Sequence, residues 1–356
     1  MIRGWEAGDH RPGTEWQRAY SVAFGIPEDL LFAQEAAAPG YVPLLVQSPF
    51  SVGGDVARAR LTVDEAERLL ADLYRREAAE GGNALCRTVG EHVSAATRVF
   101  NHGSIGLSSE RRLFGSIAGL SQMAGWLAVD ANRHGDANRY LGAALYSAYE
   151  IDDLSLASHV MGYLSLSAFY QDNPRKALSL AKAGADLATA DAQPQAVAIL
   201  HTRAARAHAR LGEDEDCKRR LDQATTALDS RGASREPPQW AGYISTLEMT
   251  AQQGACHLDL GDAASAITAT TEAIRLIETR HPHHVRDLAH YKIRLATAYA
   301  RSGEPEHAAE LADQAHAITR RIGSARVDGR LRELLRTLDG YDSPGVRKVV
   351  ERLMAR

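Results

Sequence analysis

Residues 204–224 read AARAHARLGEDEDCKRRLDQA: an alanine-rich run, a break at Gly212-Glu213, and a second run of the same kind. The arrangement recurs at Gly135-Asp136, Asp172-Asn173, Gly261-Asp262 and Gly303-Glu304, so the five breaks stand 37, 40, 49 and 42 residues apart. A helix–turn–helix unit repeated at such a period reads as an α-solenoid, in which each hairpin packs on its neighbours. The registration is tight. Seven residues before the breaks stand Ala128, Ser165, Ala205, Gly254 and Ala296, and twelve after them Ser147, Gly184, Ala224, Ala273 and Ala315. Five after come Tyr140, Ala177, Cys217, Ala266 and Ala308, where only Tyr140 is large. Small side chains at matched points let two antiparallel helix axes approach closely.

With these small-residue columns the sequence resembles the tetratricopeptide repeat, and the resemblance implies an all-α solenoid of about five helical hairpins plus flanking helices. It departs from that family in repeat length, which exceeds the usual ~34 residues. It also departs at the repeat ends, where Asp152, Thr189, Asp229, Glu278 and Arg320 replace the customary proline.

The chain has 356 residues, of which 45% are apolar and only 6% aromatic, so its core is built from Ala and Leu, a composition that favours helices. A formal charge of -4 gives no global attraction to nucleic acid or anionic membrane. Cys86, Cys217 and Cys256 are far apart and lack metal or disulfide spacing; they read as small core residues of a reducing compartment. No apolar run approaches the ~20 residues that span a bilayer, and MIRGWEAGDHRP has no apolar signal region, so a cytoplasmic protein is expected.

Residues 1–35 carry a different signature. Arg3, Trp5 and Gly8, followed by Pro12, resemble the stretch that closes the recognition helix in the Cro/repressor-like (XRE-family) helix-turn-helix proteins. In that family the Trp packs beneath the helix, the Gly ends it and the Pro starts the next element. Thr14 then caps a helix with Trp16, Ala19, Tyr20, Ala23 and Phe24 on one face. The first two helices and nearly all of the recognition helix are missing, and only Arg3 stands near where bases would be read. Residues 1–36 hold three arginines against six acids, so this segment should not bind phosphate alone. Either Met1 lies inside a longer reading frame that encodes a complete DNA-binding domain, or the repeats act without DNA.

Residues 36–61 read as a linker. Thr62-Val63-Asp64-Glu65 is a capping box that starts the leading helices over 62–119; repeats follow over 120–323 and capping helices over 324–356. This order of parts resembles the actinobacterial Cro/repressor-type regulators with tetratricopeptide-like sensor domains. The resemblance implies transcriptional control, with the repeats serving effector sensing or a homodimer. The alternative is a tetratricopeptide-type protein-interaction scaffold that never touches DNA.

No phosphate loop, dinucleotide glycine pattern, HExxH or GxSxG occurs, so neither an enzyme nor a cofactor is expected. His281, His283 and His284, with His290 nearby, lack a Cys or acid at ligand spacing and read as a polar connection rather than a metal site. The informative constellation is the inner wall of the solenoid, to which the first helix of each hairpin contributes. Counting back from the breaks places Asn132, Arg133, His159, Tyr170, Thr202, Arg206, Arg210, Glu248, Asp259, His290 and Arg301 there. Forked guanidiniums beside rings suit a peptide, a protein segment or an acidic small-molecule effector. The same residues also suit a wall satisfied by water and by itself, Arg206 and Arg210 being neutralised by Glu248 and Asp259.

Overall fold

The hairpins are set by one repeated piece of backbone chemistry. In the computed structural model, which describes residues 13–24, 62–80, 82–102, 107–190, 193–230 and 239–355, the helix ends carry left-handed residues at Asn132, Asp152, Asp172, Gly212, Gly261 and Gly303. Glycine, asparagine and aspartate are the residues that tolerate this conformation. After each, the next amide turns back to a carbonyl five residues earlier: Arg133 to Ala128, Asp153 to Ala148, Asn173 to Ala168, Glu213 to His208, Asp262 to His257, and Glu304 to Tyr299. This Schellman closure satisfies a helix-end carbonyl. The same residue begins the next helix, and Asp153 and Asp262 cap it with their carboxylates.

The helices follow in chain order: α1 Thr14–Phe24, α2 Val63–Glu80, α3 Gly82–His102, α4 Leu107–Asp130, α5 His134–Glu150, α6 Leu154–Tyr170, α7 Pro174–Ala190, α8 Pro194–Arg210, α9 Asp214–Asp229, α10 Thr246–Leu260, α11 Ala263–Arg280, α12 Val285–Arg301, α13 Pro305–Thr319, α14 Ala325–Asp339 and α15 Pro344–Met354. A 3₁₀ turn, Gln239–Tyr243, precedes α10, and no strand occurs among the described residues. Five antiparallel hairpins result, α4–α5, α6–α7, α8–α9, α10–α11 and α12–α13, so the fold is a tetratricopeptide-like α-solenoid. No helix of the described residues is long and apolar enough to cross a membrane. The capping box forms as expected: the Thr62 amide donates to Glu65 Oε2 at 2.7 Å, and the Glu65 amide donates to Thr62 Oγ1.

Two sequence expectations are corrected. Gly135 lies inside α5, and the left-handed residue of the first hairpin is Asn132, three positions earlier. With Asn132 as origin the turns step by 40, 40, 49 and 42 residues, and the first repeat contributes Gly125, Ala137 and Ala144 to the columns. Every column member is then small and buried, and Tyr140 ceases to be an exception. A Cβ on Gly125 would come within 2.5 Å of Leu141, one on Gly184 within 2.7 Å of Leu200, and one on Gly254 within 2.4 Å of Thr270. Where Ser165 stands in place of glycine, its hydroxyl donates to the Ala177 carbonyl across the hairpin. Second, the boundary placed between 119 and 120 falls inside α4, which runs unbroken from Leu107 as the first helix of the first hairpin.

The solenoid closes on itself. α2 packs against α4, α12 and the 3₁₀ turn, while α14, a capping helix in chain order, packs against α12, α13 and α4. Two buried ion pairs seal the closure, Glu77 with Arg286 and Asp130 with Arg326, and Ser324 Oγ donates to the same Asp130 oxygen at 2.9 Å. The expected helix-turn-helix residues Arg3, Trp5, Gly8 and Pro12 and the linker over 36–61 lie outside the described residues. The helix after them, α1, is docked on α6 and α7; its Trp16 is buried edge-on to Tyr149 at 5.0 Å, and Arg18 pairs with Asp186 at 3.0 Å.

Candidate ligand-docking cavity

Closure turns the inner wall into a cavity of about 280 Å³. α2 supplies Tyr74 and Glu77, α4 Trp126, α6 Tyr163 and Tyr170, and α8 Arg203 and Arg206. The 3₁₀ turn inserts Trp240 and Tyr243; α10 adds Glu248 and Gln252, and α12 adds Arg286, Asp287, His290, Tyr291 and Arg294. Arg326 of α14 completes the lining.

The rings are held by one another. Trp240 stacks on the buried His159, centroids 4.1 Å apart at 16°, and Trp126 stacks on Tyr163 at 5.2 Å. The Tyr74 hydroxyl donates to Gln122 at 2.8 Å. Arg206 donates to Asp259 at 2.7 Å and lies over the Phe169 ring at 4.5 Å. Arg326 donates to the Tyr170 hydroxyl at 3.1 Å. Glu248 accepts from Gln252 Nε2 at 2.8 Å.

Burial and positive charge set the ionisation. Burial, helped by Arg203, pulls His159 down to about 3, so the imidazole is neutral at pH 7. His290 is pulled well below its ordinary value by burial and then by Arg326 and Arg294; its Nδ1, shielded from solvent, has no hydrogen-bond partner. Burial pushes Tyr243 up to about 12. Tyr170 runs the other way: burial raises its phenol, but Arg326, Arg206, Arg330 and Arg203 outweigh that and leave it below the ordinary range. The cavity is electropositive at that wall.

Of the residues counted onto the inner wall from sequence, the structure brings Tyr170, Arg206, Glu248 and His290 together around the cavity. His159 stands one layer behind it, under Trp240. The others lie elsewhere. Asn132 and Arg133 form the first hairpin turn, a displacement inherited from the Gly135 origin, and Arg133 pairs with Asp136. Thr202 is fully buried, its hydroxyl donating to the Ile199 carbonyl. Arg210 sits at the end of α8, pairing with Asp172 and Asp259; Asp259 is the counter-ion behind Arg206. Arg301 donates to the Leu258 carbonyl at the turn-side edge. The cavity thus sits above the turns, and counting back by a fixed number overshoots toward them. Sequence reasoning missed Tyr74, Glu77, Arg203, Trp240, Tyr243, Arg286, Arg294 and Arg326. One signal was available, the 49-residue step between Gly212 and Gly261, which holds the extra residues that deliver Trp240 and Tyr243.

Two groups among the described residues could hold a metal ion, His281 with His283 and His284, and His208 with Glu213 and Asp216; each has its ligand atoms within 4.8 Å of one another. The first joins α11 to α12 with rings packed edge to face, and the second contains an ordinary His208–Glu213 contact at 2.5 Å.

The fold and site define a helical-repeat protein with a ring-lined interior cavity. No protein-family model matches the chain, and no curated protein matches its sequence. Among solved structures it is similar to BtubC (BKLC) from P. vanneervenii, at 15% identity and a TM-score of 0.44, covering 74% of this chain and 94% of that one. It is also similar to the TPR domain of P58(IPK), at 12% identity and a TM-score of 0.20, covering 82% of this chain and 97% of that one. At these scores neither likeness carries an argument; the fold rests on its own hairpin geometry.

Proposed function

We propose that the protein is a docking module whose interior holds a partner's segment or an acidic small molecule. The observation that carries this is the lining itself. Rings and guanidiniums converge from six helices and the 3₁₀ turn on one cavity. Stacked helical hairpins are suited to present such a wall, because each hairpin contributes residues at a fixed level.

The regulator reading adds that what binds inside is sensed by a DNA-binding neighbour. It rests on the resemblance at Trp5, Gly8 and Pro12 and on α1 being docked on the repeats. Interaction scaffolding needs neither, and it is the reading the fold supports better. The test is a thermal-shift screen of acidic small molecules and acidic peptides against the full chain. A ligand present at ~100 times its Kd stabilises by about 2.7 kcal/mol, several degrees in Tm. A screen in which no member raises Tm contradicts the docking reading.

A further inference from the structure

The five arginines of the cavity are not equivalent. Arg206 is paired with Asp259, Arg286 with Glu77 and Asp287, and Arg326 with Asp130. Among the described residues no carboxylate lies within ion-pair distance of Arg203 or Arg294, although each is only 8% exposed. Arg294 spends its terminal nitrogens on the Ala251 carbonyl and the His290 ring. Arg203 is less satisfied: its Nε is shielded from solvent and has no hydrogen-bond partner. A buried cation without an adjacent counter-ion is costly, and a guanidinium is always charged, so an anion placed beside Arg203 would lower that cost.

Glu248 is the one lining carboxylate that takes an amide and a phenol rather than a cation. It offsets one of the two unclaimed guanidiniums and Asp287, the second carboxylate on Arg286, offsets the other, so the charge balances over the cavity as a whole and the deficit is local to Arg203 and Arg294. The neighbours of Arg203 define the rest of the ligand. Arg203 faces the Tyr243 hydroxyl, and beside it Trp240 is fixed flat against His159. A fixed indole face suits a planar ring. The volume is that of a small molecule.

We infer that the cavity binds a small aromatic carboxylic acid, its carboxylate held by the guanidinium of Arg203 and its ring against Trp240. This rests on the docking reading and narrows it to one ligand class. The measurement is calorimetric titration of the full chain, with tryptophan fluorescence alongside, using benzoate, benzamide, acetate and an acetylated tripeptide ending in phenylalanine. Benzoate binds at least tenfold tighter than benzamide or acetate, quenches tryptophan emission, and loses at least tenfold affinity in Arg203→Met. Should Arg203→Met fail to fold, the benzoate-to-benzamide ratio on the unaltered protein decides alone. Equal binding of benzoate and benzamide overturns the anion site while leaving a docking cavity. Binding of the tripeptide but not of benzoate overturns the small-acid assignment and makes the partner a chain end. Binding by none of the four overturns the inference, and the acidic screen above then decides whether the docking reading falls with it.

Discussion

Asp130 and Arg326, 196 residues apart in the chain, meet at 3.0 Å with the carboxylate fully buried and the guanidinium 6% exposed. Arg326 also lies over Trp126 at 5.3 Å and Tyr170 at 5.5 Å, so one residue of α14 ties the last helices to the first hairpin. Removing one partner of such a pair leaves an uncompensated buried charge, which costs about 3–5 kcal/mol. Asp130→Asn is therefore expected to lower stability by that amount in urea denaturation and to increase the radius of gyration in solution scattering. An unchanged denaturation midpoint would show that the pair does not hold the ring.

Gly135 and Gly212 look alike in sequence and are opposite in structure. Gly212 has φ +75, whereas Gly135 is helical with open space around its Cβ position. Gly135→Ala is expected to stabilise by about 0.5–1 kcal/mol through helix propensity. Gly212→Ala is expected to destabilise by more than about 1 kcal/mol, because alanine resists the left-handed region. Thermal denaturation of the two variants checks this, and a destabilising Gly135→Ala would restore the turn to Gly135.

That pair also shows what could be read from the chain alone. The hairpins were legible because a left-handed residue and three columns of small residues are local requirements, visible at fixed spacings around Asp172, Gly212, Gly261 and Gly303. The first turn was misplaced because Gly-Asp reads as a break wherever it falls, while Asn132 is a weaker signal for the same backbone state. Ring closure was not legible. It depends on Glu77 meeting Arg286 and Asp130 meeting Arg326, and no periodicity links residues that far apart. Of the site, the level of Arg206, Glu248 and His290 could be counted from the turns, but Arg203 and Arg294 could not be told from ordinary surface arginines.

Arg206 and Arg210, one helical turn apart, are expected to behave differently. Arg206 and Asp259 are each 12% exposed and directly paired, whereas Arg210 is 40% exposed. Arg206→Ala leaves the carboxylate of Asp259 only the more distant Arg210, at 3.5 Å, and loses the contact over Phe169, a cost of about 2–3 kcal/mol. Arg210→Ala should cost less than ~1 kcal/mol. Comparable losses in urea denaturation would contradict the pairing.

Stability should fall as the pH drops below about 6.5. His159 is neutral in the fold, with its pKa near 3, and takes up a proton on unfolding at any pH between that value and its ordinary 6.5. The unfolded state then binds more protons, so unfolding free energy decreases toward low pH, by about 1.4 kcal/mol per pH unit for this group. His201 and His290, both lowered by burial, act in the same direction. His159→Phe keeps a ring against Trp240 and removes one titration. Between pH 6 and 5, its urea-derived stability should fall less steeply than that of the unaltered protein by about that slope. Identical slopes would place His159 in solvent.

The closed ring is the claim on which the cavity depends, and a cross-link tests it most directly. Asn132 Nδ2 lies 3.8 Å from the Cβ position of Gly329, across the junction of the first hairpin and α14, while Cys86, Cys217 and Cys256 are buried. In Asn132→Cys/Gly329→Cys, a short thiol-bridging reagent is expected to link the two positions within a single chain in high yield under native conditions, and not in urea. If both thiols are freely labelled by a monofunctional reagent yet never bridge, the solenoid is open and the cavity does not exist as described.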